Sequence, residues 1–142
     1  MSDLPQAWWQ RDAAAVAEAL FSTPHGPPPA ERVAWLVDDL DHFLETVGGR
    51  SRLVFRAALQ ALAIAAPLAV LRLEPIWKLP LDVRVRALEK LEHGPLGMAV
   101  FAVKTLLCFH WYEHPDSAIE VGLVRNVTAL SRRRVAPGAR GR

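Results

Sequence analysis

The residues best suited to chemistry stand together in His110-Trp111-Tyr112-Glu113-His114, followed by Pro115. Histidines four apart on a helix project to the same side. With Glu113 they give the order H-x-x-E-H, in which two imidazoles can hold zinc while the carboxylate activates a water. A catalytic zinc needs a third protein ligand, and downstream only Asp116 and Glu120 offer a carboxylate. Pro115 puts His114 at a helix end, and 142 residues are too few for the large α/β framework that normally holds this motif. His110 and His114 are therefore retained only as weak metal-ligand candidates, with a metal-dependent enzyme as the minor reading. The expected role of Glu113 and His114 is to cap and solvate the helix end, where a histidine suits the negative end of the dipole. His110 is expected at a boundary beside Trp111. No catalytic or cofactor-binding residue is assigned.

Two other features could suggest chemistry and are read as structure. Asp38, Asp39 and Asp41 splay around a helix and lack the turn of a calcium loop, so a solvated acidic face is expected. Cys108 is alone, which excludes an intramolecular disulfide and a cysteine-based zinc cage. Set among apolar residues, it reads as an inert buried thiol.

The elements that must position these residues are helices. In Pro95 to Tyr112 one face carries Leu96, Ala99, Val100, Val103, Leu106, Leu107 and Trp111, while the other carries Phe101, Cys108 and Tyr112. Lys104 is the only formal charge, and a helix apolar on all sides must be central to a core or covered by something else. Lys104 is expected to pair with Glu92 or another acid in a buried ion pair, or to run its stem along apolar neighbours to water. Upstream, Ala30 to Val47 is the cleanest amphipathic helix, with Val33, Leu36, Val37, Leu40, Phe43, Leu44 and Val47 inward, and Gly48-Gly49 ends it. Ser51 is expected to cap Arg52 to Leu73, a core helix that Pro67 should kink or break. Its uncharged run, Ala57 to Leu71, is shorter than the roughly 20 residues of a membrane span. A short helix near Asp12 to Phe21, capped by Asp12, follows an irregular start. There Trp8 and Trp9 either fold back, the commoner fate of paired tryptophans, or meet a partner. Pro24 to Pro29 is an extended connector, Glu74 to Pro80 a turn, and Leu81 to His93 a helix with Leu81, Val85, Leu88 and Leu91 inward. Asp116 to Val121 could add one helical turn.

No strand of convincing alternation and no fixed-period repeat is present in the sequence. The fold class is all-α, a bundle of about five helices with Pro/Gly-rich connectors. With 51% hydrophobic and 23% charged residues the chain can bury roughly two-thirds of its unfolded surface. The net charge of +2 is unevenly spread. Residues 125–142 hold six arginines and no acid, which leaves 11 basic against 15 acidic residues in 1–124. A single helical domain over 1–124 and a basic tail over 125–142, disordered at its end, are expected. The body lacks the basic face with interleaved aromatics that nucleic-acid binding needs. Met1 to Gln10 has no basic stretch leading into an apolar run, so a cytoplasmic location is expected.

The segment Leu81-Asp82-Val83-Arg84-Val85-Arg86-Ala87-Leu88-Glu89-Lys90-Leu91-Glu92, with Ala102-Val103-Lys104-Thr105-Leu106 and Tyr112-Glu113-His114-Pro115, resembles a known helical region. It is similar to the region preceding the flavin domain in some glucose–methanol–choline (GMC) oxidoreductases, such as long-chain alcohol oxidases. It also resembles the small helical subunits that accompany GMC-type sugar dehydrogenases. The matching positions are Arg84, Leu88, Glu92, Lys104, Tyr112, Pro115 and Gly122, over about 42 of the 142 residues. The resemblance implies a non-catalytic accessory subunit that binds and stabilises or completes a GMC-type flavoprotein, with FAD on that partner and no cofactor on this chain. No G-x-G-x-x-G follows a strand here, in keeping with that division. The expected partner interface comprises Phe101, Lys104, Cys108, Trp111, Tyr112, Trp8 and Trp9. The alternative is a helical adaptor for a partner helix or a membrane surface, membrane binding being the lesser of the two.

Overall fold

The computed structural model describes residues 7–115, which contain five α-helices, one 3-10 turn and no strand. The helices are α1 (Trp8–Leu20), α2 (Ala30–Thr46), α3 (Gly49–Ala69), α4 (Leu81–Glu92) and α5 (Gly97–Glu113), with the 3-10 turn at Ile76–Lys78. The expectations for Asp116 to Val121, Gly122 and residues 125–142 lie outside the described residues. The chain divides into two compact units, Met1–His110 and Trp111–Arg142. The helix packing described next lies within the first.

The core of that unit is made by the inner stripes of the helices. Ala13, Val16 and Ala17 of α1 are buried, as are Leu36, Leu40 and Leu44 of α2, Leu59 and Leu62 of α3, Ala87 and Leu88 of α4, and Val100, Val103 and Leu107 of α5. Ile76 and Leu79 of the connector before α4 are also buried. The all-α bundle is as the periodicity predicts.

Several local expectations change. Helix α1 begins at Trp8, not at Asp12, because its first turn is closed from within: the Ala7 N–H donates to Oε1 of Gln10 at 3.1 Å. Ser51 does not cap α3, which starts at Gly49 behind Gly48, whose φ of 94° ends α2. Only glycine takes that conformation without strain. Pro67 lies in the last turn of α3, so of the two expected outcomes it is the break that occurs, a few residues short of Leu73. The helix closes by N–H donation from Leu71 to the Leu68 carbonyl and from Arg72 to the Pro67 carbonyl, a Schellman-type ending. That motif puts its usual glycine position at Leu71, with φ of 57°, and leaves Leu71 and Leu73 94% and 95% exposed. Helix α3 is not a wholly buried core helix. Phe55, Leu59, Leu62 and Ala66 face the core, while Leu53, Val54, Ile64 and Leu68 are exposed.

Helix α4 is turned one position from the expected face. Val83, Arg84, Ala87 and Leu88 are buried and Leu81, Val85 and Leu91 are half-buried. The cause is Arg84. Its Nη1 donates to the Ala15 carbonyl at 3.0 Å and to Oε2 of Glu18 at 2.9 Å, and its Nη2 donates to the Leu79 carbonyl at 2.9 Å. One guanidinium thus joins α4 to α1 and to the connector. The turn into α5 is equally constrained, since a Cβ on Gly97 would lie 2.7 Å from the Glu92 carbonyl oxygen. Replacing Arg84 by Met should cost about 2–4 kcal/mol, because buried acceptors lose charged donors. Urea unfolding measures it, and an unchanged midpoint would show that the three contacts are not stabilising.

Candidate functional site

The H-x-x-E-H segment is not a single helical ligand set. Helix α5 ends at Glu113, so His114 lies beyond it, with its N–H directed to the Trp111 carbonyl at 3.3 Å. His110 belongs to the first unit and His114 to the second. His110 is also not a boundary residue: it is 2% exposed, with Phe43 and Phe109 packed edge-on at 4.8 and 5.4 Å. Its Nδ1 is 2.6 Å from Oδ2 of Asp39. An imidazole oriented by a carboxylate is the arrangement of a general base, but a ring this enclosed has no surface to offer a substrate. In the first unit the pair ties α2 to α5. Asp39 is thus no member of a solvated acidic face, unlike the exposed Asp38. Nearby, the exposed His42 donates from Nδ1 to the Asp38 carbonyl at 2.9 Å, and that hydrogen bond raises its pKa.

Lys104 does pair with Glu92, at 3.3 Å, but the pair is not buried. Both side chains keep close to half of their surface, 45% and 43%. Solvent screening at that exposure reduces an ion pair to about 0–1 kcal/mol, well below a buried one. Cys108, one turn on from Lys104, is half-buried, and burial raises its thiol pKa against the opposing pull of the ammonium. A thiol so shifted is a poor nucleophile at neutral pH, in line with the inert role expected.

The residues expected at a partner surface separate into two groups. Trp9 and Trp111 do not belong to it, being only 3% and 6% exposed. Arg56 lies over the Trp9 ring at 5.1 Å, so of the two fates this tryptophan folds back. Phe101, Tyr112 and Trp8 are exposed, and Lys104 and Cys108 are half-exposed. Trp8 borders a cleft of about 560 Å³ with Arg11, Asp12, Arg72 and Trp77. Its polarity is mixed: Arg11 stacks over Trp77 at 4.7 Å, and burial raises the Asp12 carboxyl pKa despite Arg11 beside it.

Phe101 belongs to a different surface. Met98, Phe101, Thr105 and Phe109 recur every three or four residues along the outer side of α5, all exposed. Of these, Phe101, Thr105 and Phe109, with Val54, Phe55 and Ala58 of α3 and Phe43 of α2, border a groove of about 780 Å³ in which Arg50 is the only charged lining residue. Phe109, Val54 and Arg50 were not singled out from the sequence. Phe109 continues the spacing of Phe101 and could have been found that way; Val54 and Arg50 required α3 to be placed beside α5.

Comparison of the chain with protein-family models, curated proteins and solved structures found no match.

Replacing Lys104 by Met should change unfolding stability by no more than about 1 kcal/mol. A loss of about 3 kcal/mol or more, read from chemical denaturation, would show that the pair acts as a buried one.

Proposed function

We propose that this chain is a non-catalytic helical subunit that binds another protein through the outer face of α5 and the groove beside it. A GMC-type flavin oxidoreductase is the partner that the sequence resemblance implies, with FAD on that partner. The reading rests on one observation above all. Phe101 keeps 62% of its surface exposed on a helix whose only formal charge before the terminal Glu113 is Lys104, an apolar excess of the kind that marks protein interfaces.

A second reading draws on α3. Among the described residues it is the one helix long and apolar enough to cross a membrane, with a mean hydropathy of 1.4, and much of its outer side is uncovered. Docking at a membrane surface would use Leu53, Ile64 and Leu68.

Co-expression with a GMC-type flavoprotein separates the two. The expected outcome is a stable complex with bound FAD, and a flavoprotein that is unstable or inactive when made alone. A fully active flavoprotein that ignores this chain would contradict the proposal, and flotation of the free chain with vesicles would favour the membrane reading.

A further inference from the structure

We infer that the groove between α3 and α5 seats a single amphipathic helix of the partner protein, oriented by an acidic side chain that meets Arg50. This deepens the partner-binding reading and rests on it. The groove lies between two helices, and its walls are mostly apolar side chains at helical intervals: Val54 and Ala58 on α3, Phe101 and Phe109 on α5, with Thr105 between the two phenylalanines. A third helix buries such walls by laying side chains at i, i+3, i+4 and i+7 along them. A space of about 780 Å³ suits several such side chains.

Charge supplies the direction. Arg50 is exposed, makes no ion pair among the described residues, and stands in the first turn of α3, which contains no acid. A cation there opposes the positive end of the helix dipole, so its placement is locally unfavourable in the free chain. An acid on the seated helix would reverse that balance. A lone arginine in an apolar groove is a weak match for an anionic membrane, which is held by clusters of basic residues. It is a good match for one carboxylate.

The test uses the full chain and designed peptides as probes. A fluorescent 18-residue Leu/Ala amphipathic helix carries Glu at one end of its apolar face; a second carries Lys there, and a third has the same composition without a continuous apolar face. Anisotropy titration should show saturable binding of the Glu peptide, roughly 10-fold weaker binding of the Lys peptide, and none of the third. Arg50→Glu should invert the preference between the first two, and Phe101→Ser should abolish binding of both while circular dichroism stays unchanged. Equal binding of the Glu and Lys peptides, indifference to Arg50→Glu, or no binding overturns the inference. So does a free chain that sediments as a dimer and becomes a monomer in Phe101→Ser, which assigns the groove to a second copy. A flavoprotein complex that forms unaltered with Arg50→Glu and Phe101→Ser would reject this seat and leave the subunit reading standing. Peptide binding without any flavoprotein complex would do the reverse.

Discussion

Arg84 sets the geometry on which the rest of the first unit depends. Burying a guanidinium is costly unless its donors find acceptors; here the two terminal nitrogens reach the α1 carbonyl of Ala15, the carboxylate of Glu18 and the connector carbonyl of Leu79, while Nε is buried without a partner among the described residues. The planar fork of arginine can serve acceptors on separate pieces of chain at once, which a lysine ammonium cannot do in the same way. Meeting these acceptors turns α4 so that Arg84 faces inward with Ala87 and Leu88. α5 follows after a tight turn in which a Cβ on Gly97 would meet the Glu92 carbonyl oxygen. Val100, Val103 and Leu107 follow into the core, and Phe101, Thr105 and Phe109 are left outside.

The outward stripe is therefore a consequence of packing and not of polarity. A helix with apolar residues on every side can bury only part of its circumference in so small a bundle. α3 has the same property, with Leu59 and Leu62 inside and Val54 outside. Where the outer sides of two such helices run together, the result is a groove whose walls are side chains that water would otherwise exclude. Of the positions that carry the GMC resemblance, Arg84 and Leu88 are buried, Glu92 pairs with Lys104 near the surface, and Tyr112 is exposed.

The helices were legible in the sequence because proline and glycine punctuate it and because α2 keeps a clean 3.6-residue stripe. The excess of apolar surface on α5 was legible too, from the residue types alone. What could not be read were the features set by distant partners. Nothing in Asp82-Val83-Arg84-Val85-Arg86 tells which arginine turns inward, since the acceptors of Arg84 lie 69 and 66 residues away in α1. Asp39 looks like its neighbour Asp38 until His110 arrives from 71 residues downstream. The Lys104–Glu92 pair was foreseeable from composition, but its exposure was not, because that depends on how α4 meets α5. Capping misled as well: Asp12 and Ser51 have the right side chains for caps, yet Gln10 and Gly48 shape the actual helix starts.

The central claim is that the face around Phe101 and Phe109, and not the equally apolar tip at Leu71 and Leu73, is where a partner sits. Hydroxyl-radical footprinting of the free chain, and of the chain mixed with the GMC-type flavoprotein proposed as its partner, tests this most directly, because all four side chains are exposed in the free chain. The expected result is strong protection of Phe101 and Phe109 in the complex, with Leu71 and Leu73 as reactive as before. Protection of Leu71 and Leu73 with Phe101 and Phe109 unchanged would contradict the claim.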